Sequence, residues 1–165
     1  MSETLIISDF NIRGAVPEDA ELIHSFICEL AEYENALERV TSKPEDLKKW
    51  IFEEKTMEAV IGEARGEPVA FALFYTVYSA YAGKPVLYLA DLYVSPETRG
   101  KGFGKALMAY LARLTQKRGY IWMEWTCMNW NKPSISFYLS LGARPQDDRT
   151  IYRLQGEDLQ DVAMI

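Results

Sequence analysis

The chain has 165 residues with 18 Lys+Arg against 24 Asp+Glu, a net charge of −6 that excludes sequence-independent binding to DNA or RNA. That length suits one domain, and 48% hydrophobic with 13% aromatic residues excludes a disordered chain and supports a buried core. The longest uncharged stretch, residues 69–83, is too short for a membrane helix.

In chain order, the first expected strand covers residues 11–14, with residues 5–8 as its lead-in. Pro17-Glu18-Asp19 then opens a helix, because proline suits a first turn and acids there complement the helix dipole. Its apolar residues Ile23, Phe26, Ile27, Leu30 and Ala31 share one face. Ser42-Lys43-Pro44-Glu45 repeats the start signal for a second helix through Leu47, Trp50 and Ile51. Residues 58–64 and 69–78 read as strands flanking a turn at Arg65-Gly66-Glu67-Pro68. Residues 86–94 form a run too apolar for a wet edge strand. A long amphipathic helix follows over residues 103–117, with Leu107, Leu111 and Leu114 on one face, and Gly119 stops it. Residues 121–126 are another strand, 132–141 a short helix closed by Gly142, and 150–154 a last strand. The interleaving gives an α/β (α+β) class with a mixed sheet. With no repeat and no Gly/Ser/Pro linker, residues 1–165 read as a single domain.

The most informative stretch runs from the apolar strand into Ser95-Pro96-Glu97-Thr98-Arg99-Gly100-Lys101-Gly102-Phe103-Gly104-Lys105. A strand feeding a glycine-rich turn that opens a helix presents unpaired backbone N–H groups, which suit a diphosphate. Glycines permit close approach, and Arg99, Lys101 and Lys105 add positive charge. A dinucleotide fingerprint fails, since the sixth position from Gly100 is Lys105. A triphosphate loop fails too, with Arg99 where its first glycine belongs and Ala106 after the lysine. The pattern that fits is R-x-x-G-x-G, as Arg99, Gly102 and Gly104.

This segment resembles the acetyl-CoA motif of the GNAT superfamily of N-acetyltransferases. A second segment, Trp130-Asn131-Lys132-Pro133-Ser134-Ile135-Ser136-Phe137-Tyr138 through Gly142-Ala143, is similar to the last motif of the spermidine/spermine (diamine) acetyltransferase branch. Read physically, Asn131 is a helix N-cap and Pro133 sits in the first turn. Glu34 and Asn35, and the run Tyr88-Leu89-Ala90-Asp91, also lie in segments similar to that branch. The resemblance covers roughly residues 12–154. It implies the GNAT fold, with six to seven strands flanked by about four helices. It further implies an acetyl-CoA-dependent enzyme that moves acetyl directly to a primary amine of a small molecule, such as a diamine, polyamine or amino-acid-like amine.

By resemblance, backbone groups of Leu92, Tyr93 and Val94 pair with the pantetheine arm, and Arg99 and the backbone of Gly100, Lys101, Gly102, Phe103, Gly104 and Lys105 hold the pyrophosphate. Asn131 and Ser134 complete the cofactor contacts. Tyr138 corresponds to the family's catalytic tyrosine, the acid for the departing thiolate, and Tyr33, Glu34 and Asp91 are the candidate acceptor-binding residues. Two positions depart from the branch: Ala90 and Ser79 stand where polyamine-acetylating relatives carry acids. Strand alternation sets Asp91 on the face opposite residue 90. Two cysteines, Cys28 and Cys127, and one histidine, His24, make neither a disulfide framework nor a zinc spacing, so no metal is expected. Cys127 is read as a structural thiol rather than a covalent intermediate. The segment Met1-Ser2-Glu3-Thr4 lacks a signal-peptide pattern, and a cytoplasmic enzyme is expected, as a homodimer by resemblance. The other readings are a CoA-binding sensor, favoured by Ala90, and a protein lysine acetyltransferase.

Overall fold

The computed structural model describes residues 9–165, so the lead-in at residues 5–8 lies outside the described residues. The chain divides into two compact units at Thr126/Cys127. The first is built on one sheet of β1 (Phe10–Gly14), β2 (Glu58–Ala64), β3 (Glu67–Ser79), β4 (Lys84–Val94) and β5 (Met123–Trp125), in that spatial order. Pairing is antiparallel from β1 through β4 and parallel between β4 and β5.

Local chemistry explains these elements. Arg65 and Gly66 both adopt positive φ, 54° and 82°, which makes a two-residue turn of the hand that suits a twisted hairpin. The expected four-residue turn is therefore shorter, and Glu67 already pairs with Ala64. Before α1 (Ala20–Tyr33), the Asp19 carboxylate accepts from the Val16 N–H at 2.8 Å. It also accepts from Arg13 at 2.6 and 2.9 Å, while Arg13 Nε reaches Glu63 at 2.7 Å. One guanidinium thus joins β1, β2 and the entry to α1.

One face of the sheet packs under α1. Ile23 and Phe26 are buried with Phe71, Leu73 and Tyr93, and the Phe26 and Phe71 rings stack at 5.6 Å. The opposite face carries Ala70, Ala72 and Phe74 towards α3 (Phe103–Lys117), where Leu107 and Leu111 are fully buried. Each such side chain contributes about 1.5–3 kcal/mol through removal of apolar surface from water. The second expected helix begins as α2 (Pro44–Leu47) but widens into a π-helical turn over Lys48–Glu53. Ile51 is buried there, whereas Trp50 faces solvent beneath the Lys49 ammonium.

The second unit holds α4 (Lys132–Ser140) and α5 (Gly156–Ala163). The five strands among the described residues correct the expected six to seven. Residues 150–154 form no strand: Ile151 and Tyr152 are 76% and 91% exposed, and no ladder partner lies beside them among the described residues. The helix that follows went unforeseen, although Glu157 and Asp158 in its first turn, with Leu159 and Val162 three apart, are an ordinary start signal. β5 is also shorter than the expected 121–126. No helix among the described residues is long and apolar enough to cross a membrane.

Candidate active site

Two irregularities in the first unit shape the site. Between β2 and β3 the register passes from Gly62↔Ala70 to Glu63↔Pro68, leaving Val69 as an extra residue. The Val69 carbonyl accepts from Ser95 N–H at 2.8 Å, which anchors the chain where it leaves β4. Between β3 and β4 the register passes from Leu73↔Asp91 to Phe74↔Leu89, leaving Ala90 unopposed. Such bulges re-aim side chains beside functional sites. Leu73 and Tyr75 share the α1 face, so their partners Asp91 and Tyr88 share it as well. Regular alternation would have separated Tyr88 from Asp91. Ala90 itself is exposed.

Asp91 and Glu34 are both pushed above the usual carboxylate range. Burial is the main cause for Asp91, which rises to about 6, and the Glu34 charge adds to it. Burial alone raises Glu34, at the C-terminal end of α1. Two carboxylates near enough to feel each other, at a helix end whose dipole also favours cations, make a site for a positive group. Tyr75 lies within reach of the same field: burial raises its phenol first, then the Tyr88 and Asp91 charges.

Beyond Asp91, β4 has one edge with no strand partner among the described residues, and there the Val94 carbonyl accepts from Arg99. The pairing of β4 with β5 covers only Leu87, Tyr88 and Leu89, so Leu92, Tyr93 and Val94 bond β3 on one side and have no β5 partner. The strand then enters a 3-10 turn at Pro96–Thr98 and reaches Gly100 and Gly102 with φ of 76° and 85°. Gly102 is the N-cap of α3 and has no side chain to accept from the first-turn N–H groups of Phe103, Gly104 and Lys105. A Cβ at Gly100 or Gly102 would meet nothing within 4 Å, so the space over the loop is open. Lys101 and Lys105 are exposed beside it. An open loop, uncapped N–H groups and two flanking cations fit the diphosphate of CoA.

Arg99 is placed differently from the expectation of simple phosphate charge. Its Nε donates to the Val94 carbonyl at 2.9 Å, and its guanidinium lies 5.0 Å over the Tyr33 ring and 5.9 Å from that of Tyr93. The Tyr93 hydroxyl donates to Glu29 at 2.5 Å, and burial first, then this bond, pushes that phenol up to about 12. Glu29, Glu32, Tyr33, Tyr93, Pro96, Glu97 and Arg99 line a cleft of about 320 Å³. Sequence reasoning missed this clasp between α1 and the loop, because nothing in the R-x-x-G-x-G pattern names its partners. The Phe103 ring stacks on that of Phe10 at 4.2 Å.

In the second unit, Asn131 caps α4 as expected, its Oδ1 accepting from Ser134 N–H at 3.3 Å. Tyr138 is half-buried, its ring 5.3 Å from Phe137, and its carbonyl accepts from the N–H groups of Leu141 and Ala143. In the first unit, the Ser79 Oγ accepts from Ala82 N–H at 3.3 Å and so braces the β3–β4 connection. His24 Nε2 lies 2.7 Å from the Ser42 carbonyl, tying α1 to the segment before α2. Both cysteines are half-buried, and neither is in a disulfide among the described residues.

Comparison with known proteins agrees with the loop and the sheet. The acetyltransferase (GNAT) family matches residues 23–143. The thialysine N-epsilon-acetyltransferase of Caenorhabditis elegans is 36% identical over 132 residues, covering 80% of this chain and 81% of that protein. The enzyme of the same name from Sus scrofa is 33% identical over 164 residues, covering 92% of this chain and 96% of its own. Among solved structures, an integron cassette protein from the mobile metagenome of V. cholerae superposes with a TM-score of 0.78 at 24% identity, over 94% of this chain and 98% of that one. This last likeness speaks for the fold alone. With the glycine loop, the β4 edge without a strand partner and these relatives in one chain, the protein belongs to the GNAT family of acetyltransferases and is an N-acetyltransferase.

Proposed function

We propose that the acceptor is a small cationic primary amine, a diamine, polyamine or amino-acid-like amine, acetylated by direct transfer from acetyl-CoA. The observation that carries this reading is the carboxylate pair of Asp91, on the α1 face of β4, and Glu34, at the C-terminal end of α1, both raised by burial above the usual carboxylate range. The relatives named for thialysine, an amino-acid-like amine, support it. Ala90 removes one acid from the neighbourhood, which favours an acceptor with fewer cationic contacts than a polyamine.

Acetyl-CoA supplies the activated acetyl thioester. The first-turn N–H groups of α3, with Gly100 and Lys101, hold its diphosphate, and the edge of Leu92, Tyr93 and Val94 that has no β5 partner pairs with its amide-bearing arm. Asn131 and Ser134 add further cofactor contacts. Glu34 and Tyr33 orient the acceptor, and Asp91 takes a proton from its ammonium, either directly or through water. The neutral amine attacks the thioester carbon, the C–S bond breaks, the Tyr138 hydroxyl gives its proton to the departing sulfur, and the proton that the nitrogen sheds on becoming an amide restores the Tyr138 hydroxyl. A phenol of ordinary pKa about 10 is matched to a thiolate of about 8.5. What supports Tyr138 in this role is its motif, Asn131 through Ala143. We further propose that residues 1–165 act as one catalytic domain, as the family match across residue 126 suggests. The enzyme would work in the cytoplasm as a homodimer, with exposed Tyr78 and Tyr81 at the hairpin end as contact candidates.

Tyr138→Phe tests the acid. A fall in kcat of at least about tenfold, with acetyl-CoA affinity unchanged, is expected. Unchanged kcat would remove Tyr138 from the reaction.

A further inference from the structure

Ala90's bulge has a second effect on β4. It brings Tyr88 onto the face that already carries Asp91, directly opposite Tyr75 of β3. The two phenol rings lie 5.0 Å apart at 31°, and both are half-buried, so part of their surface stays open. Along this face Asp91, opposite Leu73, is followed by the Tyr75–Tyr88 pair two residues further along β3. The electrostatics agree with that adjacency, since the Asp91 charge is felt at Tyr75.

We infer that Tyr75 and Tyr88 are specificity-determining residues, forming an aromatic wall that receives the alkyl stem of the acceptor whose ammonium is held at Asp91 and Glu34. This inference rests on the amine reading above and narrows it to acceptors with an apolar stem next to the reacting nitrogen. The physical basis is twofold. Methylene groups lose water against the ring faces, and those beside an ammonium carry part of its positive charge, which the ring quadrupole attracts. Two rigid rings accept such a stem at little conformational cost. A compact amine with no stem reaches the carboxylates but leaves the wall unused.

The test is a series of straight-chain primary amines, from ethylamine to hexylamine, assayed with wild type, Tyr75→Ala and Tyr88→Ala by acceptor-dependent thiol release. In wild type, kcat/KM is expected to climb with chain length. Each variant should flatten that climb, raising the hexylamine KM at least about fivefold with little change in kcat or in the acetyl-CoA KM. A retained acetyl-CoA KM also certifies folding, and because the two tyrosines stand on different strands, either variant alone suffices. An unaltered chain-length profile in the variants, with wild-type turnover present, overturns the aromatic wall and leaves the amine reading intact. Absence of turnover with every straight-chain amine in wild type overturns the aromatic wall, and absence with diamines, polyamines and lysine analogues as well overturns the amine reading too.

Discussion

Asp91 is in tension between stability and function. A carboxyl whose value rises from 3.8 to about 6 on folding is more easily protonated folded than unfolded. Its contribution therefore improves stability as pH falls from about 6 towards 4, and its charge costs stability at neutral pH. Asp91→Asn should accordingly raise stability at pH 7, by of order 1 kcal/mol, when followed by denaturant melts. The same change should raise the acceptor KM, because the ammonium loses its counter-charge. In wild type, kcat/KM for the acceptor should decline as pH drops through about 6, and Asp91→Asn should lose that limb. Gly102 gives the complementary case in the loop. Its φ of 85° disfavours any Cβ although the space is open, so Gly102→Ala costs about 1–2 kcal/mol through backbone strain alone. Weaker CoA binding by calorimetry should accompany that loss, since the N–H groups of the first turn are set by this residue.

At the scale of elements, the start of α3 is braced by β1. A Cβ at Gly62 would stand 2.6 Å from the Phe10 ring, and Phe10 stacks on Phe103 at the start of α3. Glycine at that point of β2 makes room for the ring that steadies the helix N-terminus. Gly62→Ala is expected to cost about 1–3 kcal/mol by overpacking and to loosen CoA binding, although residue 62 touches no ligand. The entry to α1 depends in the same way on Arg13. Because the Arg13 bond holds Asp19 below the ordinary carboxylate range, the stability from this pair is full above that range and fades as pH falls through the folded value. Arg13→Ala should cost about 2 kcal/mol at pH 7, less in acid, as read by thermal melts. Most strands and α3 were legible in the sequence, because apolar periodicity and glycine punctuation fix them locally. The Ala90 bulge was not, since alternation read along β4 alone cannot reveal an extra residue that only pairing with β3 exposes. Residues 150–154 misled for the converse reason: a strand-like composition forms a strand only when another strand lies beside it.

For the whole molecule, the motif residues divide between two units, the glycine loop and carboxylates in one, Asn131 and Tyr138 in the other. The glycine loop could be read from spacing because a backbone geometry suited to phosphate is one that glycines announce. For the proposed acceptor side, the family resemblance named Tyr33, Glu34 and Asp91 but not Tyr88, whose place on the same face as Asp91 shows only through pairing with β3. The clasp of Arg99 with Tyr33 and Tyr93 was hidden because those residues meet only through folding. The most direct measurement is thiol release from acetyl-CoA across lysine analogues, diamines, polyamines, aminoalcohols and a basic peptide. Turnover stimulated by small cationic amines, and little by the peptide, is the expected result. Tight CoA binding with no acceptor-dependent turnover would contradict the proposed function and leave a CoA-binding sensor in its place.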